Sequence, residues 1–299
     1  MRPVVMYHYV RNPKGTEFPN LYSRSKEQFS FQVNHLEAEY GFCALDNLDA
    51  SKRSTSLMTF DDGIKDHFEN VMPLLKRHGI KAAFFVSSLP LQKPVLLDVH
   101  KLQLLLGSQP HGDLFESLKR TIGERKLRTY QDSVDTSKDV AARMEKQDIL
   151  LFKRLLQRDL EMPLRSEVVR ALFGEYFPDD EARIAKEFYM TLSDLREMKD
   201  AGMVIGNHTV SHPWLGHLSD EEAQLEIDDC ENFLVGEGLM DEDFKTIAYP
   251  YGDSSLGVKT HLRNNGYQFA FTTAPKIWDD SKFDRLSIPR LDTNDVPFS

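Results

Sequence analysis

Leu57-Met58-Thr59-Phe60-Asp61-Asp62-Gly63 is the stretch on which the fold turns. Its apolar half reads as a strand over residues 56–60 that ends in two adjacent carboxylates. A helix-like segment follows to about His78, with Pro73 near its first turn and Gly79 as the residue that stops it. Residues 81–86 (KAAFFV) then give the aromatic and apolar run of a buried strand. Strand, helix, strand in that order argues for a parallel sheet or barrel.

The same rhythm extends to both sides. Residues 3–7 form an apolar strand candidate ending at His8, followed by the polar loop Asn12-Pro13-Lys14-Gly15. Ser25 caps an expected helix carrying Phe29, Val33 and Leu36 on one face. Downstream, Ser193 is the expected cap of a helix that ends at Gly202, and Met203-Val204-Ile205-Gly206 is a short strand leading into two histidines. Ser219 and Glu222 make a capping box. Strands are expected again at 246–249 and 268–272. Residues 90–190 break the pattern. They are charged and helical in period, with Leu150, Leu151, Leu155 and Leu156 suggesting an apolar stripe. Ordinary connections run about 2 to 6 residues, so this segment reads as an inserted helical subdomain or lid. The expected organisation is therefore a barrel from 1–89 and 190–299, with an insertion at 90–189.

The chain has 299 residues, 40% of them hydrophobic, enough for one large α/β domain or one domain with an insertion. A net charge of −10 argues against nucleic acid as the main partner. No apolar run reaches membrane-spanning length, and the N-terminal run is too short for a signal peptide, so a cytoplasmic location is expected. The two cysteines, Cys43 and Cys230, form no C-x-x-C site and give no support for a disulfide. A homo-oligomer is compatible with the sequence, which does not set the oligomeric state.

Two carboxylates side by side repel, and burial makes each more costly unless something positive lies against them. The supply is His208-Thr209-Val210-Ser211-His212. One carboxylate and two imidazoles make a three-ligand site for a divalent metal with positions open for water. The other carboxylate is then available as a base. An Asp-Asp-Gly can also be a plain turn, and two histidines can be solvent-exposed residues. Pro213 keeps His212 from helical angles, so a loop or first turn at a strand end is expected there. No Glu follows the first His, which sets this pair apart from a helical metalloprotease motif. His8 ends a strand on the same edge and can protonate a leaving amine, or can be a core histidine. Tyr7 and Tyr9 suit a sugar groove or simple packing. Tyr249-Pro250-Tyr251-Gly252 ends another strand, where a backbone N–H could stabilise an oxyanion, or where the chain only turns.

With these residues in view, the chain resembles the polysaccharide deacetylase (NodB-homology) family, carbohydrate esterase family four. TFDDG is similar to its first motif, NHTVSH to its second and AYPYG to its third, in the family's order. The resemblance implies a distorted (β/α) barrel of about seven strands. It implies Zn²⁺, or another divalent ion such as Co²⁺ or Ni²⁺, on Asp62, His208 and His212, with Asp61 as general base and Tyr251 at the oxyanion. Two departures stand out. The family's third motif begins with an Arg that orients the base, and this chain has Ala248 there; Arg290 in SIPRLD is the expected substitute. The late motif carrying the family's catalytic histidine is missing, and Met6-Tyr7-His8-Tyr9 instead resembles the circularly permuted branch, which implies His8 as the acid. Asp98 and His100 open the insertion and are read either as substrate contacts or as a solvated helix face.

The implied activity is deacetylation of an N-acetylated sugar or oligosaccharide to a free amine and acetate. The same site would serve an amidohydrolase or cyclic imide hydrolase on a non-sugar substrate. An inactive carbohydrate-binding relative is the third reading.

Overall fold

Seven parallel strands lie side by side in the order β6-β5-β4-β3-β2-β1-β7. They are β1 Val4–Tyr7, β2 Leu57–Phe60, β3 Ala83–Val86, β4 Val204–Asn207, β5 Lys245–Ala248, β6 Tyr267–Phe271 and β7 Leu291–Asp292. The computed structural model describes residues 2–48, 55–123, 152–161, 164–279 and 281–298. Ile288 bridges the end of β6 at Phe271, and three residues on, Leu291 and then Asp292 pair with Val5 and Met6 of β1. One short segment thus meets β6 and β1, and the sheet is a distorted (β/α) barrel, as expected.

Alternation along the strands sorts the core. Val4, Leu57, Ala83, Phe85, Phe269 and Phe271 pack in one cluster. Their strand neighbours Val5, Met58, Phe84 and Val86 point the other way, into a cluster with Val33, Leu75, Met198 and Leu234 from the helices. Both faces are apolar because both are covered, as a parallel sheet requires. Gly206 on β4 has a packing reason: a Cβ there would lie 2.7 Å from the Phe85 ring.

Most local punctuation is where the sequence put it. Ser25 caps the helix Lys26–Glu39 and Ser219 caps Asp220–Gly236, each with a reciprocal capping box. Two readings are corrected. The helix Leu192–Asp200 is capped by Thr191, not Ser193, because the Thr191 hydroxyl accepts from the Asp194 amide. The segment after Gly63 begins as a π-helical turn, His67–Val71, before the α-helix Met72–His78 that contains Pro73. Proline has no amide proton for the preceding turn, and widening that turn avoids the clash.

The chain divides into two units. One comprises Met1–Asn12, Ser23–Lys93 and Lys186–Ser299 and holds the sheet. The other comprises Pro13–Tyr22 and Pro94–Ala185. In this second unit the helices Asp98–Ser108, His111–Ile122 and Leu164–Tyr176 bury Leu102, Leu105, Leu114, Leu118, Val169 and Leu172. Leu155 and Leu156 are buried there, while Leu150 and Leu151 lie outside the described residues. His100 is buried rather than on a solvated face, and Asp98 accepts from the Ser166 hydroxyl. Among the described residues no helix is long and apolar enough to cross a membrane.

Candidate active site

Parallel strands bring their C-terminal ends to one edge, and the singled-out residues lie there. Tyr7 pairs with Phe60, so His8 and Asp61 leave neighbouring strands side by side, and the Asp61 amide donates to the Tyr7 carbonyl at 3.0 Å. Val86 pairs with Asn207, and the His208 amide donates to the Val86 carbonyl. Ala248 ends β5 just before Tyr249-Pro250-Tyr251.

The loops are bent sharply. Five described non-glycine residues have positive φ, and four of them are Asp62, Thr209, His212 and Tyr251. Such a backbone costs an ordinary residue roughly 1–3 kcal/mol and persists only where its surroundings hold it. The surroundings are visible for the histidine loop. Glu226 accepts from the amides of Val210 (2.9 Å) and Ser211 (2.8 Å) and from the Ser211 hydroxyl (2.7 Å). The Asn207 side chain accepts from the Thr209 amide, and the Ser87 hydroxyl donates to the His208 carbonyl. After Asp62, Gly63 also has positive φ, and a Cβ there would come within 3.1 Å of Val86. The expected loop, rather than a helix, is what carries His208 and His212.

Asp62 meets both imidazoles. Its Oδ1 lies 3.2 Å from His208 Nε2 and 3.4 Å from His212 Nε2, with all three side chains buried. The His208 Nδ1 sits 2.7 Å from the Ala248 carbonyl, which can only accept, so Nδ1 carries a proton. A neutral His208 therefore turns the Nε2 lone pair toward a carboxylate oxygen. That geometry calls for a positive charge between them, either a second ring proton or a cation. Two imidazole nitrogens and one carboxylate oxygen suit a divalent metal with open positions, so the residues present fit the implied ion. The carbonyl of Ala248, the position where the motif Arg is missing, fixes the tautomer of the first histidine.

Asp61, the next residue in the chain, has a different environment. Arg290 holds it with two parallel bonds, Nη1 to Oδ1 at 2.8 Å and Nη2 to Oδ2 at 2.7 Å. The guanidinium is itself fixed, since Nε donates to the Thr272 carbonyl and Nη1 also reaches the Thr59 hydroxyl. Burial raises the Asp61 carboxyl, but Arg290 first, then His208 and His8, pull it below the usual aspartate range. Burial alone would lower the His208 imidazole, yet the hydrogen bond to Asp62 and the charges of Asp61 and Asp62 leave it raised.

His8 is half-buried at the end of β1, beside Asp61. Its backbone is anchored by a residue the sequence reading passed over: His67 Nε2 donates to the His8 carbonyl at 2.7 Å. Burial pushes the His67 imidazole down to about 4, so it is a neutral ring at pH 7. Tyr251 stacks on Trp214, with ring centroids 4.3 Å apart and planes 8° from parallel, and meets the edge of His212. Tyr7 and Tyr9 are buried, Tyr7 against Phe60 and Tyr9 against Phe188, so they pack rather than line an open groove. Glu226, His67 and Trp214 carried no signal of their own: each acts on a motif residue from a distance in sequence.

The family model described as polysaccharide deacetylase matches residues 49–98 and 178–270. YxkH of Bacillus subtilis, which carries a polysaccharide deacetylase name, is 29% identical over 93 residues, 28% of this chain and 31% of that protein. The match thus spans about a third of that relative's length. Among solved structures, the deacetylase PplD of Streptococcus pyogenes superposes with a TM-score of 0.58 at 18% identity, over 97% of this chain and 91% of that one. IcaB from Ammonifex degensii gives 0.56 at 18%, over 97% and 90%. A de-N-acetylase from Aggregatibacter actinomycetemcomitans gives 0.55 at 15%, over 98% and 95%. At these identities the likeness is one of fold.

Proposed function

Because the family model described as polysaccharide deacetylase matches residues 49–98 and 178–270, we propose that the chain hydrolyses the N-acetyl group of a sugar or oligosaccharide with the help of a divalent metal. The observation that carries the reading is the contrast between adjacent carboxylates. Asp62 is turned to two imidazoles, and Asp61 to a guanidinium. Carboxylates in opposed environments are how one site obtains two roles from one residue type.

Asp62, His208 and His212 would hold the ion. A divalent cation held there, Zn²⁺ by the donor set, supplies a Lewis acid that polarises an acyl oxygen and makes a nearby water more acidic. Asp61 takes the proton of the attacking water, and Arg290 keeps that carboxylate ionised and aimed. The new bond joins the water oxygen to the acetyl carbon. The Tyr251 backbone N–H would donate to the oxygen that gains charge. When the carbon–nitrogen bond breaks, His8 hands a proton to the departing nitrogen. The products are acetate and a free amine, and atoms and charge balance. A cytoplasmic location accords with the sequence reading and would favour a small or soluble substrate.

The test is direct. Protein reconstituted with Zn²⁺ should release acetate from N-acetylglucosamine or its short oligomers, and chelation should stop it. Metal-loaded protein that releases no acetate from any N-acetylated sugar refutes the proposal.

A further inference from the structure

The geometry points to Arg11 as a specificity residue that selects N-acetylated sugars bearing an anionic substituent, a phosphate or a carboxylate. The inference rests on the deacetylase reading for the acetyl group and goes beyond it in naming the charge of the substrate.

Arg11 stands three residues beyond His8. Even a fully extended chain covers at most about 10 Å over that distance, so the Arg11 backbone stays near the strand end that bears His8, and the assignment has a substituent extending from the reacting sugar meet its guanidinium. Its Nε donates to Asp66 Oδ2 at 2.7 Å, and the same oxygen accepts from the Val10 amide at 3.1 Å. Asp66 belongs to the turn that follows Asp62, so the clamp ties the His8 strand end to the metal-site strand end. Two rings bound the cation, Phe188 at 5.4 Å and Tyr9 at 5.7 Å from ring centroid to Cζ. The guanidinium is therefore held in position and orientation before any ligand arrives.

What is left over makes the inference. None of the described residues hydrogen-bonds either Nη nitrogen of Arg11, and the side chain is 23% exposed. Arg290 shows the other use of the same group, with side-chain exposure of 0% and both Nη atoms committed to Asp61. A fixed guanidinium with its forked outer edge open is suited to two-bond recognition of a phosphate or carboxylate. Ordering it costs little at binding, because Asp66 and the rings have already ordered it. A chain with net charge −10 gains selectivity from such a group, since its general field opposes an anion and only the local cation admits one.

Three probes that differ in one substituent test this: N-acetylglucosamine 1-phosphate, N-acetylmuramic acid and N-acetylglucosamine, with the Zn²⁺-loaded full chain. Binding is read by calorimetry and turnover by amine release. The wild type should favour an anionic sugar by about 10- to 100-fold, the worth of hydrogen bonds to a charged group. Phosphate and carboxylate preferences separate the two sources. Arg11→Lys keeps a cation for Asp66 but loses the fork, and Arg11→Gln removes the charge. Each should cut kcat/KM for the anionic sugar at least about tenfold more than for the neutral one. Equal losses on all three sugars, or wild-type binding blind to the charge, overturn the assignment. An anionic binding preference without release of amine from any probe would uphold Arg11 and sink the deacetylase reading instead.

Discussion

Replacing Arg290 by Met removes the guanidinium and leaves the Asp61 carboxylate, with a side chain only 3% exposed, facing apolar atoms on that side. Deleting one partner of a buried pair costs about 3–5 kcal/mol. His208 and His8 still favour the charge on Asp61, so the lower end applies, about 3 kcal/mol at neutral pH. At about 2–4 °C per kcal/mol for a unit of this size, the melting midpoint should fall by about 6–12 °C. The pH dependence fixes the cause. In the wild type the Asp61 carboxyl is held below its unfolded value. The pair's contribution is therefore present above the unfolded aspartate pKa and lost as pH falls through the depressed folded one. In the variant burial dominates and raises the carboxyl, so the folded state prefers the protonated acid. The gap between the two proteins should then be largest near pH 7 and shrink toward pH 4. Urea unfolding followed by tryptophan fluorescence, with chelator present so that bound metal adds nothing, reads it. Asp61→Asn combined with Arg290→Met should recover part of the loss, because neither charge remains buried. A variant within about 0.5 kcal/mol of wild type at pH 7, or a gap that does not close on acidification, would refute the reasoning.

The remaining expectations concern the same site. Asp61→Asn should bind metal normally and release no acetate, whereas His212→Ala should purify without metal; elemental analysis and acetate assays on both variants decide. Glu226→Ala frees the loop that bears both histidines and should weaken metal affinity about 10–100-fold, as measured by competition with a chelating dye. His67 is neutral in the fold with a pKa of about 4, so the unfolded chain binds its proton first. Stability should accordingly fall by up to roughly 3 kcal/mol as pH drops from the ordinary histidine range to about 4. His67→Gln, which can still donate to the His8 carbonyl, should flatten that slope; an unchanged slope would mean another group titrates.

Much of this protein is written locally. Parallel strands covered on both faces need runs such as Ala83-Phe84-Phe85-Val86, and a helix start needs an oxygen such as that of Ser25 or Ser219. Both signals lie within a few residues, so they survive in a bare sequence. The motif triad is legible for a related reason: parallel strands share one C-terminal edge, and residues that follow three of them must meet there. What a sequence lacks is any period for contacts made across the fold. Arg290 and Asp61 are 229 residues apart, and only the closure of the sheet through Ile288 and Leu291 aligns their two bonds. The grouping of Pro13–Tyr22 with Pro94–Ala185, the Ala248 carbonyl on His208, the Glu226 clamp and the left-handed backbone at Thr209 and His212 are of the same kind. Even the cap at Thr191 fell to geometry, since Thr191 and Ser193 both offer a hydroxyl and only one stands over an open amide. Sequence determined which residues arrive at the edge; tertiary packing decided which atoms they turn toward one another, because orientation is set by neighbours that are distant along the chain.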